Sequence, residues 1–122
     1  MSKSGGEQIE RGKLTKLMEE IGIKKPPAAI LSAIICHEKL SLADLIRMTG
    51  LTKGCVASGL QHWHHKGWIK SVEGDSGGKG RAAHVWNLAF SQEEAFHRIA
   101  TQIVEKKLIL QKTIRSIERL IE

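Results

Sequence analysis

The chain has 122 residues, the length of one domain with a single core, and 41% of them are apolar and 26% charged, as in ordinary globular proteins. No apolar run approaches the ~20 residues that cross a bilayer, the first six residues (MSKSGG) lack the apolar stretch of a secretory signal, and two cysteines cannot form a disulfide framework. Membrane proteins, small secreted scaffolds and disordered chains are therefore excluded, and the net charge of +6 permits an acidic partner.

Two helices are predicted before residue 40. Apolar residues recur at helical spacing over residues 7–21, and Gly22 is a natural stop after them. A second helix begins at Pro26, where a proline in the first turn loses no hydrogen bond, and continues to His37. Because it is apolar nearly all round, we expect it to be the buried central helix.

A helix-turn-helix is predicted next. Ser41 caps a short third helix that ends at Gly50, and Thr52 caps a fourth helix that ends at Gly67. Only residues 49–51 separate the two helices, which is the short glycine-bearing turn typical of this motif.

The pattern then changes from helix to strand and back. Residues 68–72 and 84–88 are predicted as short strands joined by a polar, glycine-rich loop. Residues 91–94 (SQEE) form a capping box, and a long helix follows over residues 91–121. We find no internal repeat and no linker, so residues 1–122 are expected to form a single domain.

Half of the net charge lies in the middle of the chain. Residues 51–90 carry five basic and two acidic residues, a balance of +3 out of +6. This excess surrounds the fourth helix and the glycine-rich loop. On charge alone, a solvated surface with scattered lysines is the alternative interpretation.

The order of elements is that of a winged helix-turn-helix, mainly α with a small β-hairpin wing. The chain resembles the MarR/ArsR-like winged-helix regulators of bacteria and archaea. The resemblance covers roughly residues 26–90 and rests on LADL at 42–45, LTK at 51–53, residues 56–60, KGWI at 66–69, Asp75 with Arg81, and WNL at 86–88. It implies a DNA-binding core over residues 26–90, flanked by dimerisation helices over residues 7–21 and 91–121.

The fourth helix is the candidate reader of DNA, because the major groove admits one α-helix. If Val56, Leu60 and Trp63 face inward, the outer side of helix 52–66 carries small and polar residues. Gln61 suits a bidentate contact with adenine, and Lys53 suits a phosphate or a guanine. The alternative is a solvated helix face without function. The predicted contact residues are Thr52, Lys53, Gly54, Ala57, Ser58, Gln61 and His62.

The loop at residues 74–82 is the candidate wing. Lys79 and Arg81 supply cations on its returning side, and an arginine there can enter the minor groove or bind phosphate. Asp75 and Arg81 are similar to a wing pair found in related regulators. An ordinary flexible hairpin is the competing interpretation.

A homodimer is predicted from the last helix. Thirty residues span ~45 Å, longer than the body of such a small domain, and the first helix of a second copy is the expected complement. A strict seven-residue repeat would place Lys106 and Thr113 in the seam, so we do not expect a regular coiled coil. The predicted dimerisation residues are Ile9, Leu14, Leu17, Phe96, Ile103, Leu110, Ile114, Ile117 and Ile121.

Histidines and cysteines do not predict a cofactor. Residues 62–65 (HWHH) with Cys55 resemble a metal cluster, but adjacent helix residues point apart, so we predict no metal site and no cofactor. Cys36 lies in the buried helix, where cysteine usually packs as a small hydrophobe. Oxidation sensing through Cys36 or Cys55 is a less favoured alternative.

The leading hypothesis is a dimeric, sequence-specific double-stranded DNA-binding protein, a transcriptional repressor, located in the cytoplasm with the nucleoid. No catalytic constellation stands out, so an enzyme is not expected. Two other functions remain open: a plasmid-segregation or DNA-organising protein, and a winged-helix protein-interaction module. A small-molecule effector is also left open.

Overall fold

The computed structural model describes residues 10–73 and 84–121, which form five helices and three short strands. This architecture, mainly α with a small antiparallel sheet and a long last helix, confirms the predicted fold class. The elements are α1 (Arg11–Glu20), α2 (Lys25–Cys36), β1 (Leu40–Ser41), α3 (Leu42–Thr49), α4 (Lys53–His65), β2 (Ile69–Glu73), β3 (His84–Leu88) and α5 (Gln92–Ile121).

Helix α2 is the centre of the core, as its sequence predicts. Pro26 and Pro27 occupy its first turn, and His37 ends it in an extended conformation. Helices α1, α3 and α4 all pack against it. Because α2 is covered on several sides, its apolar residues are not confined to one stripe. Its buried residues are Ala28, Ile30, Leu31, Ser32, Ala33, Ile34 and Ile35.

Helix α1 is shorter than predicted. Glu10 has an extended backbone, so the helix begins at Arg11 and not at residue 7. Apolar spacing alone does not fix a helix start when no capping side chain marks it, and Glu10 makes no side-chain cap. The end is as expected, since Gly22 follows with φ +97°, a left-handed conformation that suits glycine.

The sheet has three strands in the order β1-β3-β2, all antiparallel, where the sequence predicted two. Strand β1 has only two residues, too few to show an alternating pattern. Leu40 of β1 pairs with Trp86 of β3. The Asn87 side-chain Oδ1 also accepts a hydrogen bond from the Lys39 N–H at 2.5 Å. Strand β2 begins one residue later than predicted, at Ile69.

Aromatic side chains join the sheet to the helices. The rings of Trp63 and Trp68 lie 5.2 Å apart, and Trp68 contacts Phe90 at 5.5 Å. Trp63 and Trp68 are buried, while Trp86 is half-buried against His64. The three tryptophans therefore pack the hairpin against the helices.

Helix α5 packs on the core through its first turns. Ala95 and Ile99 are its buried residues, and every side chain over residues 103–121 is exposed. Its N-terminus is capped by the Ser91 hydroxyl, which accepts from the Glu94 N–H at 3.0 Å. The Glu94 carboxylate pairs with Arg98 at 3.0 Å. None of the helices in the described part of the chain is long and apolar enough to span a membrane.

Candidate nucleic-acid interface

Helices α3 and α4 form the predicted helix-turn-helix. Gly50 ends α3 in the left-handed conformation, with φ 73°, and residues 50–52 connect the two helices. Thr52 caps α4, since its hydroxyl accepts from the Cys55 N–H at 3.2 Å. Leu45 of α3 and Val56 of α4 are both fully buried in the core. The angle between the helices is thus set by a short turn and shared apolar packing.

Helix α4 has two distinct faces. Val56, Leu60 and Trp63 are buried, as the sequence predicts. The predicted DNA-contact residues of this helix all lie on the exposed side, so the structure brings them together on one surface, which we call the reading face. Its members are Thr52, Lys53, Gly54, Ala57, Ser58, Gln61 and His62.

Gly59 allows α4 to approach the central helix closely. It is buried, and a Cβ at this position would overlap Ile30 Cδ1 of α2. Further along α4, the Trp63 indole N–H donates to the Pro27 carbonyl at 2.7 Å. These two contacts fix α4 against α2 and so hold the reading face in place.

The last turn of α4 is rich in imidazoles. His62, His64 and His65 line an open groove of about 550 Å³ together with Ser58, Gln61 and Lys66. Partial burial lowers the pKa of His62, and the nearby Lys66 ammonium lowers it further. His62 is therefore neutral at neutral pH, and its ring offers one donor and one acceptor to a ligand.

His64 connects α4 to the sheet. Its ring meets Trp86 of β3 edge-on at 5.6 Å. Sequence reasoning assigned His64 only to a rejected metal cluster, because the contact joins residues 22 positions apart in the chain. The last turn of α4 and strand β3 are thus in direct contact.

The predicted wing falls outside the described residues. Strands β2 and β3 pair from Ile69 with Leu88 to Glu73 with His84, so the hairpin that would carry it is present. The loop at residues 74–82, including Lys79, Arg81 and the Asp75–Arg81 pair, lies outside the residues that the structure describes.

The predicted dimerisation residues occupy three environments. Leu14 is buried in the core of its own chain, and Phe96 is partly buried against that core. Leu17 of α1 is 52% exposed. Ile9 lies outside the described residues. The remaining members are exposed along α5, namely Ile103, Leu110, Ile114, Ile117 and Ile121.

The described cysteines and histidines do not gather into a metal site. Over residues 10–73 and 84–121, no three His, Cys, Asp or Glu side chains are grouped to hold a metal ion. Burial raises the pKa of the half-buried Cys36 thiol, and Arg11 only partly opposes it. A raised pKa disfavours the reactive thiolate, which argues against redox sensing at Cys36. Cys55 is exposed on α4.

Comparisons with known proteins identify the fold. No family model matches the sequence, and a search of curated proteins finds no similar sequence. Among solved structures, MepR, a transcription regulator of the Staphylococcus aureus multidrug efflux pump MepA, is 17% identical, with 83% of this chain and 74% of that chain covered at TM-score 0.54. A MarR/EmrR family transcriptional regulator from Acinetobacter is 18% identical, with 83% and 69% covered at TM-score 0.51.

A third solved structure contains nucleic acid. The S. aureus MepR–DNA complex is 16% identical, and the alignment covers 90% of this chain and 89% of that chain at TM-score 0.50. At these identities the likeness establishes the fold. The chain has the winged-helix fold of MarR-family transcription regulators.

Proposed function

We propose that this protein is a dimeric, sequence-specific double-stranded DNA-binding regulator of transcription that acts as a repressor. The observation that supports this most directly is the two-faced character of α4, with one side packed on α2 and the other a row of small and polar side chains. The same fold occurs in MarR-family transcription regulators, one of which is solved with DNA.

The reading face suits the major groove in shape and chemistry. Gly54, Ala57 and Ser58 are small, so the backbone of α4 can approach the base edges closely. Gln61 lies on the same side and carries the amide that pairs with adenine N6 and N7. Lys53, in the first turn, supplies a cation for a phosphate or for guanine.

The wing would add a second contact. Lys79 and Arg81 belong to the loop between β2 and β3. We assign both residues to the sugar-phosphate backbone or to the minor groove, where arginine is attracted by the negative potential. With α4 in the major groove and the wing on the backbone or the minor groove, the two contacts would fix the orientation of α4 on the duplex.

Dimerisation is proposed because the exposed part of α5 carries many large apolar side chains, most of them along one side. Ile114 and Ile117 are 55% and 52% exposed, and Ile121 is 80% exposed. Large apolar side chains clustered in this way mark a protein interface. A second copy is the proposed partner, since two reading helices one turn of DNA apart match a palindromic site.

The spacing along α5 also fits a helix pair. Positions 103, 107, 110, 114, 117 and 121 alternate steps of four and three, the seam of a heptad repeat, and all are apolar except Lys107. This register differs from the one that would include Lys106 and Thr113. Lys106 instead lies close to the turn that follows α1, since a Cβ added at Gly22 would be 2.7 Å from Lys106 Nζ.

Selection from random duplexes tests the proposed function. The purified protein should enrich a palindromic sequence whose half-sites lie one helical turn apart. Lys79→Ala and Arg81→Ala should weaken binding to every duplex and flatten the dependence of the binding constant on salt.

Other outcomes would identify the competing functions. Salt-insensitive binding to a protein, with no duplex retained at low salt, would contradict the proposal and favour an interaction module. Footprints that spread over repeated sites, with promoter output unchanged, would contradict the repressor role and favour a DNA-organising protein.

A further inference from the structure

The segment at residues 24–27 lies beside the reading face, although it is far from α4 in the sequence. The Trp63 indole N–H donates to the Pro27 carbonyl at 2.7 Å, which attaches the segment to α4. Pro26 and Pro27 restrict the backbone that leads to this attachment. Close packing of Ile30 on Gly59 continues the contact along α2. The position of the segment relative to α4 is therefore fixed by the fold.

An open groove of about 400 Å³ runs between this segment and α4. Lys24 lies on one wall, and Ser58 and His62 of the reading face lie on the other. An ammonium, a hydroxyl and an imidazole can all donate hydrogen bonds, so donors stand on both sides of the groove. The rest of its lining is small or apolar, namely Pro26, Pro27, Gly54, Cys55 and Gly59. It is continuous with the reading face, because Ser58 and His62 belong to both.

Among residues 10–73 and 84–121, Lys24 is an exposed cation without a carboxylate partner. In the part of the chain that the structure describes, the ion pairs are Arg47 with Asp44 and Arg98 with Glu94. Lys24 belongs to neither pair, and its side chain is exposed. Its charge is thus available to an external anion.

We propose that Lys24 binds a phosphate of the DNA strand that borders the major groove in which α4 lies. This inference rests on the proposed function. A helix in the major groove is flanked by the two phosphate backbones, and half or more of protein–DNA hydrogen bonds go to phosphate and sugar. Lys24 stands to the side of the reading face, so it meets the backbone and not the base edges. It therefore fixes the register of α4 and adds affinity that is independent of sequence.

The test compares Lys24→Gln with Lys112→Gln by measuring duplex binding over a range of salt concentrations. Lys112 is exposed on α5, on the side opposite to the apolar seam, so this control makes the same charge change away from the reading face. The probes are a mixed-sequence duplex and the duplex that the parent protein selects. Circular dichroism and thermal unfolding establish that both variants are folded.

We expect Lys24→Gln to reduce the magnitude of the slope of log K against log salt by roughly 0.9 for each subunit, hence roughly 1.8 for a dimer. Affinity for the two duplexes should fall by the same factor, and Lys112→Gln should match the parent protein. A folded Lys24→Gln variant with the parent slope would overturn this inference and leave the proposed function intact. An equal effect of the two variants would also overturn it, since the cause would then be net charge. If the parent bound no duplex, the proposed function itself would fail.

Discussion

Neighbouring residues of α4 face the core or the solvent because a helix turns by about 100° per residue. Gly59 is buried against Ile30, and Leu60 is buried beside it, whereas Gln61 is exposed. The sequence predicted the outward position of Gln61 from the inward positions of Val56 and Leu60. It did not predict that Gly59 is a contact point with α2.

Gln61→Ala should relax the choice of base at one position of each half-site. An amide that makes a bidentate contact with adenine contributes about 1–3 kcal/mol of discrimination, and alanine removes it. Repeating the duplex selection with the variant measures this loss. Lys53→Ala is the comparison on the same face, and it should weaken binding to all sequences more evenly. An unchanged base preference in the Gln61 variant would remove this residue from the contact surface.

Gly59→Ala should lower the free energy of unfolding. The added methyl group would collide with Ile30 Cδ1 in the core, which costs about 1–3 kcal/mol and outweighs the gain in helix propensity of about 1 kcal/mol. Urea denaturation measures the difference.

Gly54→Ala is the matched control for this prediction. Gly54 lies on the same helix with open space around its Cα, so alanine should keep or raise stability. Ile30→Val shortens the colliding side chain and should cost less in the Gly59→Ala background than in the parent protein. Additive effects of the two substitutions would contradict the close contact.

At the scale of elements, α3 depends on its first turn. The Ser41 hydroxyl accepts from the Asp44 N–H at 3.1 Å, and the Asp44 carboxylate accepts from the Ser41 N–H at 3.0 Å. These reciprocal bonds form a capping box at the start of the helix. The hydrogen bonds from Ser41, aided by Arg47, lower the pKa of Asp44 below its ordinary value of 3.8.

Asp44→Asn should therefore reduce stability in a pH-dependent way. A carboxyl whose pKa is lower in the folded than in the unfolded state stabilises the folded state at pH values above its unfolded pKa. This stabilisation is lost as the pH falls through the folded pKa. We expect a loss of about 1 kcal/mol near neutral pH, which shrinks well below pH 3.8. Urea unfolding at neutral pH and at a pH well below 3.8 measures this loss of stability. A deficit that stayed constant with pH would show that the charge of Asp44 does not matter.

At the scale of the whole molecule, α5 is the unusual feature. Its first turns bury Ala95 and Ile99 in the core, and the remaining length carries exposed apolar residues away from it. An isolated apolar stripe of this length is unfavourable in water. Association of two copies through α5 would bury it and would set the distance between the two reading faces.

Ile114→Glu should convert the proposed dimer into monomers and weaken binding to a palindromic duplex. The substitution would place a charge in the proposed seam, where burial without a partner is costly. Sedimentation analysis measures the mass, and a duplex-binding titration measures the affinity. Lys112→Glu introduces the same residue on the opposite side of α5 and should leave both unchanged. A dimeric Ile114→Glu variant would contradict the α5 interface.

The sequence predicted elements whose signals are local. Gly22 and Gly50 end helices, Ser41 and Thr52 begin them, and each signal depends on a few neighbouring residues. The strand β1 was missed, since two residues carry no periodicity and their pairing with Val85 and Trp86 is made across the fold. The start of α1 was wrong for a related reason, because no side chain caps it.

What the sequence determined by itself is the order of the helices, the hairpin and the inward and outward sides of α4, because periodicity and capping act over short distances. Only the tertiary structure placed Lys24 beside Ser58 and His62, and His64 beside Trp86. These neighbours are separated by 22 residues or more along the chain, so they meet only when α2, α4 and β3 pack on a common core. The reading face is thus a property of one helix, whereas the surface around it is a property of the whole fold.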